Sequence, residues 1–247
     1  MNSRKYILII FIVLIFIFIS CIIGMAETTV RTSTDPYENA IPPPAFPQNI
    51  KVVKDLSSSL SNDEINDIIK RTNYFPIALG FTWIYSVEEQ LPNVGIRKGE
   101  MIIKYVKKKD IGGKSYIVQN ISLSKNLGGK SISYIARKSD DGIYLYNEKT
   151  SDEIKIYNLP LKIGDVFEYY NDGILNVNKV MAIQDIIYDG KSYNNCLKIS
   201  RTTTVNNWMT EYYYFAPNIG RVYIDAVHKS GSTIRRYELK KWNLKNK

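Results

Sequence analysis

The sequence predicts an all-β protein, an antiparallel meander forming a strongly curved sheet or half-barrel, led by one short helix. Three observations carry this expectation. Strand-length runs of alternating apolar and polar residues recur from residue 80 onward, with turn strings between them. Tyr is unusually frequent, at 19 of 247 residues, while Ala is scarce, a composition that suits strands. Finally, the stretch Tyr74 to Tyr85, YFPIALGFTWIY, repeats its pattern at Leu159 to Tyr169, LPLKIGDVFEY. In each copy a Pro (Pro76, Pro160) fixes an extended approach and a Gly (Gly80, Gly164) supplies the turn. Aromatics two apart, Trp83 with Tyr85 and Phe167 with Tyr169, then share one strand face.

Residues 1–26 read as a signal peptide or an N-terminal membrane anchor. Arg4 and Lys5 precede an apolar run from Tyr6 to Ile23. Three outcomes stay open. The chain is cut after Ala26, where Gly24 and Ala26 are small. Alternatively it is lipidated at Cys21, because FISC resembles a lipobox, with Phe18 in place of the usual Leu. In the third outcome the segment is retained, since about 20 apolar residues span a bilayer. All three place the rest of the chain outside the cytoplasm, membrane-anchored or secreted.

Residues 27–60 read as a disordered Pro/Ser-rich linker, in which AIPPPAFPQ (Ala40 to Gln48) is extended and semi-rigid. Residues 61–247 form the β domain. It opens on a helix at 61–71. Ser61 and Glu64 have capping-box spacing, and Ile65, Ile68 and Ile69 make one apolar stripe. So short a helix has to dock on the sheet to persist. Strands follow near 81–89, 99–109, 114–123, 131–138, 142–147, 153–157, 165–171, 174–187, 191–204, 208–215, 220–228 and 232–242. Strings such as DIGG, NDG, YDG and PNIG turn the chain between them.

Motifs that would carry chemistry are mostly turned away. Three GKS strings, beginning at Gly113, Gly129 and Gly190, lack the partner Gly and the following helix of a phosphate loop, so they read as hairpin turns. His228 is the only histidine, which excludes zinc sites built on several histidines. It reads as a surface or rim residue. Glu88 and Glu89 are adjacent in a strand and point to opposite faces. Cys196 has strand-like neighbours and reads as a small buried hydrophobe, and two cysteines make no disulfide framework. No catalytic, metal or cofactor-binding residues are expected, and no cofactor.

The aromatics are the strongest candidates for a binding face. Trp83, Tyr85, Trp208 and Tyr213 are the residues expected to face a ligand, with core packing as the competing role for each. Net charge is +9, and +7 without residues 1–26. Outside the cytoplasm such a charge suits anionic lipid headgroups or wall polymers and not nucleic acid.

The two Pro-Gly-aromatic entries, NNCLKIS at Asn194 to Ser200 and EYYYFAPNIGRVYI at Glu211 to Ile224 together resemble motifs of a group of uncharacterised extracytoplasmic, lipoprotein-like β proteins of Gram-positive anaerobes. The similarity covers residues 74–240. Asn218, Ile219 and Tyr223 depart from the usual Gly, Val and Lys. The resemblance implies a half-barrel like that of periplasmic lipoprotein-localisation factors, whose concave face binds acyl chains, and it implies no catalytic residues. The expected function is a non-catalytic cell-envelope module for a lipid, a wall polymer or an envelope protein, attached to the membrane through its N-terminal segment. The alternative is a structural or assembly domain without a small ligand, and a hydrolase comes third. An open aromatic-lined concavity would favour binding. A concavity filled by the helix and by Tyr and Ile side chains would favour the structural role.

Overall fold

The computed structural model describes residues 35–37, 46, 50–92 and 94–244. The targeting segment, with Cys21, and most of the linker lie outside them. Among the described residues, thirteen strands form one antiparallel sheet that is not closed. They are β1 (Lys51–Asp55), β2 (Thr82–Leu91), β3 (Gly95–Ile111), β4 (Lys114–Leu123), β5 (Ser131–Ser139), β6 (Gly142–Asn147), β7 (Asp152–Asn158), β8 (Val166–Asn171), β9 (Ile174–Tyr188), β10 (Lys191–Thr203), β11 (Met209–Ala216), β12 (Gly220–His228) and β13 (Thr233–Asn243).

Two meanders make the sheet. One runs from β2 to β7, the other from β8 to β13. They join where β13 lies antiparallel to β2, pairing Tyr237 with Val87 and Leu239 with Tyr85. The C-terminal strand thus closes onto the first long strand, a non-local pairing that short turns alone do not announce. Beyond β7 and β8 the ladder stops, yet these ends are close. The rings of Tyr157 and Phe167 meet edge to face at 5.7 Å, and Asn147 Nδ2 donates to Asp172 Oδ1 at 3.3 Å. The sheet therefore curls into an incomplete barrel, as strongly twisted large sheets do.

Both Pro-Gly entries behave as their residues dictate. Gly80 and Gly164 turn at φ of 86° and 89°, immediately ahead of β2 and β8. The three GKS strings lie in or beside turns ahead of β4, β5 and β10.

The helix α1 spans Asn62–Arg71 with Ser61 as its N-cap. Its capping box is formed in full: the Glu64 N–H donates to Ser61 Oγ, and the Ser61 N–H donates to Glu64 Oε2 at 2.9 Å. Ile65 and Ile69 are buried against Leu161, Val180, Ile183, Leu197 and Ile199. Burying each isoleucine is worth roughly 1.5–3 kcal/mol. That docking sustains a helix of 10 residues that would be marginal alone.

The linker expectation is corrected at three places. Lys51–Asp55 is a strand, β1, paired with one half of β9 (Lys51 opposite Ile187) while β8 occupies the other half. Its Val52 and Val53 are 43% and 54% exposed, so the strand is held by backbone pairing and side-chain bonds from Asp55. Asp35 and Tyr37 also dock. Asp35 Oδ2 lies 3.0 Å from His228 Nε2 and 2.9 Å from Lys229 Nζ, and the Tyr37 hydroxyl donates to the Gln90 carbonyl at 2.5 Å. Phe46 is buried with its ring 5.2 Å from the Arg236 guanidinium carbon. His228 is accordingly 7% exposed and serves as a clasp for Asp35.

Candidate ligand-binding cavity

Between the two meanders lies a cavity of about 470 Å³. The wall from β3 to β7 is largely apolar. Met101, Ile103, Ile121, Leu123, Ala136, Ile143, Leu145 and Ile156 face the space from it. The segment after α1 adds Tyr74 to Ile77. The opposite wall, β8 to β13, carries most of the polar groups, among them Tyr169, Asn176, Asn178, Arg201, Glu211, Arg221 and Arg235, while Gln119 on β4 is an exception. Lys130 and Ile132, both exposed, mark where the cavity meets solvent. Only part of the concave face is filled by α1.

Trp83, Tyr85 and Tyr213 line this cavity. Spacing by two brings Trp83 and Tyr85 to one face, and the cross-strand register brings β11 round to meet them. Trp208 sits elsewhere, in a small cluster with Tyr37 and His228. Trp83 and Tyr85 also hold the opposite motif in place. Trp83 Nε1 donates to the Ile219 carbonyl and the Tyr85 hydroxyl to the Arg221 carbonyl, each at 2.7 Å. Asn218 N–H donates to the Asn73 carbonyl at 2.8 Å. The first Pro-Gly entry and the APNIG turn thus pack on each other across 136 residues.

Besides Lys130 at the mouth, four charged residues of this lining, Arg201, Glu211, Arg221 and Arg235, were not anticipated. Arg201 faces Glu211 across β10 and β11, with Nη2 2.7 Å from Oε2. The Tyr213 hydroxyl donates to the same Glu211 oxygen at 2.5 Å. Burial first, and then the Glu211 carboxylate, push the Tyr213 phenol well above its usual range, so it stays neutral. Arg235 stands opposite Glu89, which also binds Arg97 at 2.5 Å. Burial raises the Glu89 carboxyl, but Arg235 and Arg97 more than offset this and hold it below its ordinary value. Arg221 differs from these two. No carboxylate pairs with it among the described residues, and its Nε is buried without a partner. Its guanidinium carbon lies 5.9 Å from the Tyr85 ring centre and 5.5 Å from that of Tyr213.

A β-bulge places Arg221 inside. Tyr214 pairs with Tyr223, but Phe215 then pairs with Arg221, one residue out of step. Unbroken register would set Arg221 opposite Ala216 on the other face. The slip turns the arginine toward the cavity beside Phe215. Turn residues at Asn218 and Gly220 were the sequence signal for an irregularity here, although they did not show its direction.

Cys196 is wholly buried, with Sγ 3.6 Å from the Tyr193 carbonyl, and burial pushes its thiol up to about 12. Among the described residues no group of three or more His, Cys, Asp or Glu is placed to hold a metal ion, and no helix is long and apolar enough to cross a membrane.

No protein-family model and no curated protein matches the chain. Solved structures do show similarities. An exported-protein candidate with a YmcC-like fold from Bacteroides fragilis is 13% identical with a TM-score of 0.47, over 70% of this chain and 99% of that one. A lipoprotein candidate from Parabacteroides distasonis is 12% identical with the same score and the same coverage. A LolA superfamily protein from Nitrosomonas europaea is 10% identical with a TM-score of 0.30, over 76% of this chain and 95% of that one. At these identities and scores the similarities carry no functional argument. Function has to come from the chemistry of the cavity.

Proposed function

We propose that the protein is a non-catalytic, extracytoplasmic binding module that holds a lipid in the cavity between its two meanders. One observation carries the reading: an aromatic- and isoleucine-lined space of about 470 Å³ is left open beside a helix that could have filled it. This volume lies within the roughly 300–1,000 Å³ typical of small-ligand sites, and apolar walls with few polar groups are their usual lining. A wall polymer or a peptide would need an open groove with many paired polar groups. Glu211, the one carboxylate of the lining among the described residues, is tied to Arg201 and Tyr213, which favours binding over acid–base chemistry.

Docking of α1 against β9 and β10 favours the second reading, a structural or assembly domain, because part of the concave face is already filled. Native mass spectrometry of the full chain, extracted from its own envelope in a gentle detergent, separates the two. A lipid-sized adduct that is lost on denaturation supports the binding module. A bare mass moves the assignment to the structural domain.

A further inference from the structure

Of the three arginines that face the cavity, two have their anions within the protein. Arg201 has Glu211, and Arg235 has Glu89. Arg221 has neither carboxylate, and the rings of Tyr85 and Tyr213 flank it. Both contacts are near the ~6 Å limit at which a cation still gains from a ring. An arginine inside a fold, without an anion, is a costly residue to keep. Here a β-bulge and two phenols hold it facing an open space. Arg201 also lies 5.5 Å from the Tyr213 ring centre, and its Nε likewise lacks a partner.

The polar and apolar parts of the lining are largely segregated by strand. Its three arginines and three asparagines come from β8 to β13, and most of its isoleucines and leucines from β3 to β7, with Gln119 and Lys130 on the apolar side and Ile224 on the polar one. This is the pattern an amphiphile needs, with a head for one wall and a chain for the other.

Resting on the reading of the cavity as a lipid site, we infer that its ligand is a single-chain anionic amphiphile, with a carboxylate or phosphate head held by Arg221 and supported by Arg201. The planar guanidinium fork matches either head in a two-pronged contact. A neutral lipid would leave the Arg221 charge without an anion. The volume, in the lower half of the range for small-ligand sites, favours one chain over two.

The test uses the full chain in a neutral maltoside detergent and three ligands with the same sixteen-carbon chain: palmitate, hexadecyl phosphate and hexadecanol. Each is titrated against the rise in melting temperature, which reports apparent affinity. Palmitate or hexadecyl phosphate, or both, bind about tenfold or more tightly than hexadecanol, as expected for a charge-assisted contact. Whichever anion binds more tightly identifies the head. Arg221→Met brings the anions down to the hexadecanol level, and Arg221→Lys keeps part of the preference. Equal binding of all three ligands to the wild-type chain overturns the inference but leaves the cavity reading intact. No rise with any ligand removes both. A preference that survives in Arg221→Met takes the head away from Arg221. If Arg221→Met does not fold, the wild-type comparison and Arg221→Lys still decide.

Discussion

Tyr85 and Arg221 meet twice, once through the backbone and once through the side chain. The phenol donates to the Arg221 carbonyl at 2.7 Å, and its ring lies 5.9 Å from the guanidinium carbon. One tyrosine at the start of the sheet therefore fixes both the strand and the charge of the C-terminal motif. Tyr85→Phe keeps the ring and removes the donor, leaving a carbonyl without its partner. We expect a loss of about 1 kcal/mol in chemical denaturation. An unchanged midpoint would show that the carbonyl finds another partner.

Gly220 sits at φ 89°, and a Cβ there would approach Pro76 Cδ to 3.2 Å. Backbone conformation and space both oppose a side chain at this point. Gly220→Val should destabilise the protein by more than about 1 kcal/mol. Gly173, at φ 77° with nothing within 4 Å of an added Cβ, is the control. Gly173→Ala meets only the conformational penalty and should cost less. Equal melting temperatures for the two variants would remove the Pro76 contact from the account.

Ser61→Ala deletes one half of a formed capping box. Helix N-caps of this kind are worth roughly 0.5–2 kcal/mol. The loss should appear in equilibrium unfolding, because α1 is docked through Ile65 and Ile69 and does not melt separately. A separate early transition would instead show that the helix detaches on its own.

Asp35 supplies a pH signature. Burial works to raise its carboxyl, but bonds from His228, Lys229 and the Tyr37 N–H outweigh that and lower it from 3.8 to about 2. A carboxyl lowered by folding contributes stability that is present above the unfolded value and is lost as pH falls through the folded one. The difference in melting temperature between wild type and Asp35→Asn should hold above pH 4 and shrink between about 4 and 2. A difference that stays constant across that window would mean that Asp35 is not clasped.

Cys196, buried and with its thiol pushed up to about 12, should resist a thiol reagent in the folded chain. Mapping the modified peptides keeps Cys21 apart from it. Labelling of Cys196 should need denaturant, and rapid labelling under native conditions would contradict its packing.

The strands and the helix were legible because their periodicity has one buried face to record. Ile65 and Ile69 at helical spacing, and Trp83 with Tyr85 at strand spacing, are examples. β1 left no such record, since Val52 and Val53 are both exposed and the strand is held by backbone pairing and the Asp55 side chain. Asp35, Tyr37 and Phe46 are single anchors in a polar, Pro-rich stretch, too sparse to make a period. Of the cavity, the aromatic part was readable, except that Trp208 went to the Tyr37 cluster. The arginines were not. A charged residue alternating with apolar ones reads as facing solvent, and only the slip at Phe215 turns Arg221 inward. Which faces meet across the curl depends on β13 pairing with β2, a non-local contact that no local pattern encodes.

The most direct test of the central claim is to fill the cavity. Ala136 is buried in its apolar wall, 5% exposed, and Ala136→Phe would occupy the space without touching an arginine. Native mass spectrometry of wild type and variant, each extracted from the envelope as the full chain, reads the bound adduct. A lipid-sized adduct is expected on the wild type and is expected to be lost from a variant that still melts cooperatively. The same adduct on both would place the ligand elsewhere and contradict the account.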